Sequence, residues 1–202
     1  MNNKLLIFLV IIILLYIIYY NSENSENYKT TLKTRTLEKD GFMTFYNPNY
    51  AEQTHDHPSD QLRKDVLDFL PSGYIFIDYV YKINNGSLST FHRDVTSSKH
   101  IFGTKHTVYT LILYKYNGDF LSVCPGSNKS YPFVWSKIVN IYGKSGTAFL
   151  FDCDLLHAAQ CKEREVIQYK LCHIDDLDKL KSLQNVYVKK IIIIVLIIYI
   201  IN

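Results

Sequence analysis

Hydrophobic positions fall into three successive patterns along the chain. Leu5 to Tyr20 form an unbroken apolar and aromatic run of sixteen residues, preceded by Lys4 and followed by the polar stretch Asn21 to Asn27. As a helix this run would span roughly 24 Å at about 1.5 Å per residue, near the lower limit for a ~30 Å hydrocarbon core when tyrosines sit at the interface. Residues 21–40 are polar and lysine-rich with no apolar period, which reads as a tether. Phe42 to Tyr46 suits a short strand or loop. Ser59 is then placed to cap a helix running to Leu70, because Leu62, Val66, Leu67 and Leu70 recur at helical spacing and Pro71-Ser72-Gly73 stops them.

From Tyr74 the period becomes two. Tyr74 to Ile83 is rich in β-branched and aromatic residues, Asn84-Asn85-Gly86 is a hairpin signal, and Ser87 to Asp94 reads as the returning strand. Thr107 to Tyr116, Phe120 to Val123, Val134 to Tyr142, Thr147 to Phe151 and Glu165 to Ile174 complete a series of short strands, with Asp175 to Leu183 as a closing helix. Short strands separated by turn signals predict a mainly β fold, an antiparallel barrel or jelly roll.

The 202 residues, 48% hydrophobic and 20% charged, leave room for one globular domain plus the two ends. A net charge of +3 is too small to argue for a nucleic-acid partner. No small-residue cleavage site follows Tyr20, which favours an uncleaved membrane anchor over a signal peptide. At the other end Lys189-Lys190 precede the apolar run Ile191 to Ile201, which as a helix reaches only about 16 Å and suits an interfacial tail or a strand better than a crossing. The expected division is therefore 1–20 anchor, 21–40 tether, 41–184 barrel and 185–202 membrane-associated tail. Lys29, Lys33, Arg35 and Lys39 outnumber Lys4, a weak pointer to a cytosolic body. Cys124, Cys153, Cys161 and Cys172 show no metal spacing and read as free thiols.

Two fragments carry candidate chemistry. On a strand, residues two apart share a face, so His92 and Asp94 of His92-Arg93-Asp94 would present an imidazole and a carboxylate together. His157, at the end of the run from Gly146, would supply a third ligand and complete a 2-His-1-carboxylate set, which leaves one face of a non-haem Fe(II) open. Between them lies Asn117-Gly118-Asp119-Phe120-Leu121-Ser122-Val123-Cys124-Pro125-Gly126-Ser127-Asn128-Lys129. This segment resembles the N-G-x-L-x-x-x-P-G-S-H-K block of the phytanoyl-CoA dioxygenase family, and all three blocks stand in family order over roughly residues 74–175. Asn128 stands where that family has histidine.

The resemblance implies a double-stranded β-helix with Fe(II), 2-oxoglutarate and O2 as cofactor and cosubstrates. His92, Asp94 and His157 would be the metal ligands, and a small or lipid-like molecule at the membrane would be hydroxylated. It further implies a cation on the strand after His157 for the distal carboxylate of 2-oxoglutarate. Arg164 is the first candidate and Lys170 the reserve, since alternation puts Arg164, Val166, Gln168 and Lys170 on one face. A catalytically silent, membrane-tethered binding barrel and a protein prolyl or lysyl hydroxylase are the alternatives. His100 and His106 could line an entrance but read as surface histidines. His55-Asp56-His57 precedes a helix and belongs to no family block, Gly143-Lys144-Ser145-Gly146 reads as a hairpin turn, and Trp135 reads as packing.

Overall fold

The computed structural model describes residues 7, 11–14, 35–52, 57–86, 90–129, 137–160 and 164–189. Most of the apolar run 5–20, most of the tether, His55, Asp56, Trp135, Cys161 and the isoleucine tail lie outside the described residues. Residues 11–14 are helical. Among the described residues no helix is long and apolar enough to cross a membrane.

Two antiparallel sheets face each other. The larger holds β1 (Phe42–Tyr46), β6 (Thr147–Asp152), β3 (Tyr109–Tyr114), β8 (Glu165–His173), β2 (Tyr74–Asn84) and β9 (Val186–Lys189) in that spatial order, with β9 parallel to β2. The smaller holds β5 (Val139–Gly143), β4 (Gly118–Val123) and β7 (His157–Ala159). Strands distant in sequence are therefore neighbours, β3 lying between β6 and β8, as a jelly roll requires.

The interior between the sheets is filled by Ile112, Tyr114, Phe149, Phe151 and Val166 from one side and Phe120, Leu121, Val123 and Ile141 from the other. The alternate residues Leu111, Leu113, Leu150, Ile167, Tyr169 and Leu171 point outward and are covered by Leu62 and Val66 of α2 (Asp60–Leu67). Burial on both faces explains why these central strands read as continuous apolar runs. Ser59 caps α2 as expected, its Oγ accepting from the Leu62 N–H at 3.3 Å.

Two elements lie outside the span expected for the barrel. Within the expected tether, Thr36 Oγ1 accepts from Lys39 N–H and Gly41 takes a left-handed φ of 82°, framing the single turn α1 (Leu37–Asp40). Beyond residue 184, β9 adds an edge strand to the larger sheet. The closing helix is a kinked 3-10 segment, Ile174–Leu183. It packs Leu180 and Leu183 with Ile77, Val108, Cys153 and Cys172 across one end of the barrel. Cys124, Cys153 and Cys172 are buried free thiols, as expected. The turn before β6 needs Gly146, whose φ is +90° and whose added Cβ would lie 2.5 Å from the Asn47 carbonyl oxygen.

The returning strand from Ser87 to Asp94 requires correction. Asn85 and Gly86 do take positive φ, 62° and 79°. Yet β2 pairs with β8 and β9, residues 87–89 lie outside the description, and only His92 makes a β-bridge, to His157. Asp94 has ψ 71° and leads into a 3-10 turn at Val95–Ser97. Its N–H is taken by the Cys153 carbonyl at 2.9 Å, which draws the backbone out of strand geometry.

Candidate active site

The site forms where two loops are fastened together. His92 N–H donates to His157 O and His157 N–H to His92 O, both at 3.0 Å, so His92 extends the smaller sheet beyond β7. The Arg93 guanidinium points away and donates to the Asp154 carbonyl. Asp154 in turn accepts from Ser98 Oγ at 2.5 Å and from Lys99 N–H at 3.0 Å. The segment before His157 is pinned from the third motif: Ser127 Oγ accepts from Leu156 N–H at 2.8 Å, and Cys124 N–H donates to Leu156 O at 2.9 Å. Ser127 of the Pro125-Gly126-Ser127 segment thus has a mechanical role, setting the entry into β7.

This fastening brings one ligand-capable atom from each of His92, Asp94 and His157 within 4.8 Å of the other two. His157 Nε2 lies 3.7 Å from Asp94 Oδ1. The Nδ1 atoms of His92 and His157 lie 2.9 Å from the carbonyls of Thr90 and Leu155. A carbonyl only accepts, so each Nδ1 carries the proton and each Nε2 is left with a lone pair, the arrangement that orients a metal-binding imidazole. Burial pushes the His157 imidazole down to about 4, with Asp94 pulling the other way and His92 adding to the fall. It is neutral at pH 7. The donor set of two imidazoles and a carboxylate therefore fits a divalent iron.

Asp94 is held from behind. Its Oδ2 accepts from Lys170 Nζ at 2.6 Å and from Thr110 Oγ1 at 2.5 Å. Lys170 also reaches Thr110 Oγ1 at 2.6 Å and Ser97 Oγ at 2.9 Å, so its three N–H groups are all engaged and it is 1% exposed. Burial alone would raise the Asp94 carboxyl, but the Lys170 ammonium and His157 hold it below the usual carboxylate range. Burial would likewise lower Lys170, yet the Asp94 charge raises it. A bulge in β2 between Phe76 and Val80 lies opposite Lys170 and turns Tyr79 to the cavity wall.

A cavity of about 320 Å³ opens in front of the three residues. Arg164, Gln168 and Lys170 line it from β8 and the residue before it, as alternation predicts, with Tyr81, Ile112 and Phe151 beside them. Arg164 Nε donates to the Gly86 carbonyl at 2.8 Å. The Tyr81 hydroxyl is buried with no hydrogen-bond partner among the described residues. Burial raises its phenol, against the pull of the nearby Arg164 charge.

The remaining sequence candidates lie elsewhere. His100 is exposed on the turn α3 (Lys99–Phe102), and neither it nor His106 lines the cavity. His57 Nδ1 is 4.0 Å from Asp78. His106, His173 and Asp175 form a second cluster with ligand atoms within 4.8 Å of one another. There the two rings stack at 3.8 Å and 26°, which keeps their in-plane lone pairs from a common point, and His173 Nδ1 accepts from Asp175 N–H. It serves as a clasp. Asn128 donates to Asp152 Oδ2 at 2.8 Å beside a separate groove of about 670 Å³, away from the triad. Ser97 and Thr110 were not singled out by the sequence.

No protein-family model matches the chain, and no curated protein does. Solved structures do resemble it. EctD from S. alaskensis in its apoform is 15% identical with a TM-score of 0.50, covering 75% of this chain and 81% of that one. The non-heme alpha ketoglutarate dependent epimerase SnoN from nogalamycin biosynthesis is 11% identical with a TM-score of 0.50, covering 68% and 79%. EvdMO1 is 15% identical with a TM-score of 0.50 over 68% of this chain, which spans only 48% of that longer protein. At these identities the likeness shows the fold.

Proposed function

We propose that this chain is an Fe(II)- and 2-oxoglutarate-dependent oxygenase of the phytanoyl-CoA dioxygenase-like kind, hydroxylating a small or lipid-like molecule. The observation that carries this reading is the meeting of His92, Asp94 and His157 at the cavity floor, both imidazoles with Nδ1 tied to a carbonyl. The role of Ser127 in setting His157 supports the resemblance, because it gives the Pro-Gly-Ser block a physical reason to accompany the triad.

Bound by these three residues, Fe(II) would supply the one chemistry side chains lack, coupling O2 activation to decarboxylation of 2-oxoglutarate to succinate and CO2. The chain's own residues do the rest. His157 and His92 would offer their Nε2 atoms, and Asp94 its Oδ1. Arg164 is our candidate for the distal carboxylate of 2-oxoglutarate: with Nε spent on Gly86, its terminal Nη groups remain for a planar anion. The unpartnered Tyr81 hydroxyl on the same wall is a second donor for that anion. Lys170, the reserve candidate, shares the wall but has its N–H groups committed to Asp94, Ser97 and Thr110. Ile112, Phe151 and Leu121 keep the floor apolar and limit water near the reacting centre.

We further propose that the apolar run Leu5 to Tyr20 anchors the enzyme in a membrane, which would bring a lipid-like substrate to the cavity. Resistance of the full chain to carbonate extraction tests the anchor, and its loss from a form lacking residues 1–27 would support it.

One observation favours a second reading, a silent binding barrel: Lys170 already neutralises Asp94 and would oppose a metal cation. Turnover separates the two. The wild type should convert 2-oxoglutarate to succinate only with added Fe(II), and Asp94→Ala should abolish it. Iron loading without any succinate would favour the silent barrel.

A further inference from the structure

The outer oxygen of Asp94 is held by two side chains from different strands. Lys170 Nζ reaches it from β8 and Thr110 Oγ1 from β3, while Ser97, three residues beyond Asp94 in the chain, takes another Lys170 N–H. Every bond falls on Oδ2 or on the groups holding it, and Oδ1 is the atom turned to His157. A carboxylate free to rotate can grip a metal through both oxygens, whereas one clamped through Oδ2 offers only Oδ1.

Resting on the iron reading above, we propose that Lys170 is a positioning residue that holds Asp94 to one-oxygen coordination and so keeps metal positions open for the cosubstrate. The β2 bulge lies opposite Lys170, and Tyr79 from it lines the same cavity. Two opposed effects follow. The ammonium repels the metal and so weakens its binding, while the clamp preserves the vacant positions that 2-oxoglutarate needs. A lysine that merely filled space would still repel the metal but would not hold those positions open.

Co(II) reports both effects, because its visible bands depend on the number and geometry of its ligands. Full-length wild type, Lys170→Met and Thr110→Val are titrated with Co(II) and then with 2-oxoglutarate under anaerobic conditions. With the cation gone and the carboxylate released, Lys170→Met should bind Co(II) roughly tenfold more tightly. Its bands should differ from wild type, and its spectral response to 2-oxoglutarate should be lost. Thr110→Val keeps the ammonium, so its affinity should stay within about twofold of wild type while its bands shift part of the way. Identical bands and an intact 2-oxoglutarate response in Lys170→Met would overturn the proposal. If Lys170→Met does not fold, Thr110→Val decides, and wild-type bands there would overturn it equally. A wild type that takes up no Co(II) would overturn the iron reading along with it, whereas failure of the positioning role alone leaves wild-type Co(II) binding intact.

Discussion

His92 and His157 bond to each other through both backbone groups, N to O at 3.0 Å in each direction. That bridge joins a residue with no strand of its own to the first residue of β7, and their rings lie 4.3 Å apart between centroids. The candidate metal site is therefore as rigid as the smaller sheet. Asp94 is held by its backbone, through the Cys153 carbonyl, and its carboxylate is oriented by the side chains of Lys170 and Thr110.

Removing the Asp94 carboxylate should leave the buried Lys170 ammonium without a counter-charge. Asp94→Ala is expected to destabilise the metal-free protein by about 3 to 5 kcal/mol, while the double variant Asp94→Ala/Lys170→Met recovers much of the loss. Urea denaturation of the metal-free proteins measures both.

Ser127 should matter to the site without touching it. Ser127→Ala leaves the half-buried Leu156 N–H short of its partner, at a cost of about 1 kcal/mol. Co(II) affinity should drop with it, because the entry into β7 loosens. Unchanged affinity in a destabilised protein would confine the serine to general stability.

The pH dependence of stability should carry the mark of His157. Its folded value near 4 lies below the ordinary value of about 6.5, so the fold favours the neutral ring. Between pH 6.5 and 4 the unfolded chain takes up a proton that the folded chain refuses, and stability falls as pH falls through that window, by at most about 3 kcal/mol. The loss should be complete near pH 4. His157→Gln should flatten this part of the metal-free denaturation profile relative to wild type.

Gly143 has a packing role that its position in a turn motif hides. A Cβ there would lie 2.2 Å from the Phe120 ring, which stacks on Tyr114 at 3.7 Å. Gly143→Ala should force Phe120 off this stack at a cost of about 1 to 3 kcal/mol. Thermal melting reads the loss, and the metal-binding bands should be retained.

Much of this was legible in the sequence for local reasons. The period of two on β8 placed Arg164, Val166, Gln168 and Lys170 on one face, and that face lines or packs against the cavity. Ser59 opened α2 through capping, which acts within a few residues, whereas the helix closes at Leu67, short of the expected end at Leu70. The Asp94 environment was hidden because its partners are remote: Thr110 lies on β3, Lys170 on β8, and Cys153 bonds the Asp94 N–H from beyond β6. Nothing in His92-Arg93-Asp94 itself separates a strand from a bridge followed by a 3-10 turn. β7 is three residues long, too short for any period to show. β9 merges in sequence with the lysines and isoleucines that follow, so only its parallel pairing with β2 reveals it.

Arg164 is the proposed partner for the distal carboxylate of a diacid in the cavity. Arg164→Ala should weaken 2-oxoglutarate binding by about 1.5 to 3 kcal/mol, roughly ten- to a hundredfold, by stripping the distal carboxylate of its partner. Co(II) affinity should be unaffected, since Arg164 bonds Gly86 and none of the three candidate ligands.

The central claim, that His92, Asp94 and His157 hold an iron to which 2-oxoglutarate binds, is tested most directly by anaerobic visible absorption of the Fe(II)-loaded protein. Chelation of Fe(II) by a 2-oxo acid produces a charge-transfer band that neither component shows alone. The account predicts that the band appears on adding 2-oxoglutarate to wild type and is absent from Asp94→Ala and His157→Ala. Iron-loaded wild type that shows no band, or a band that survives both substitutions, would contradict it.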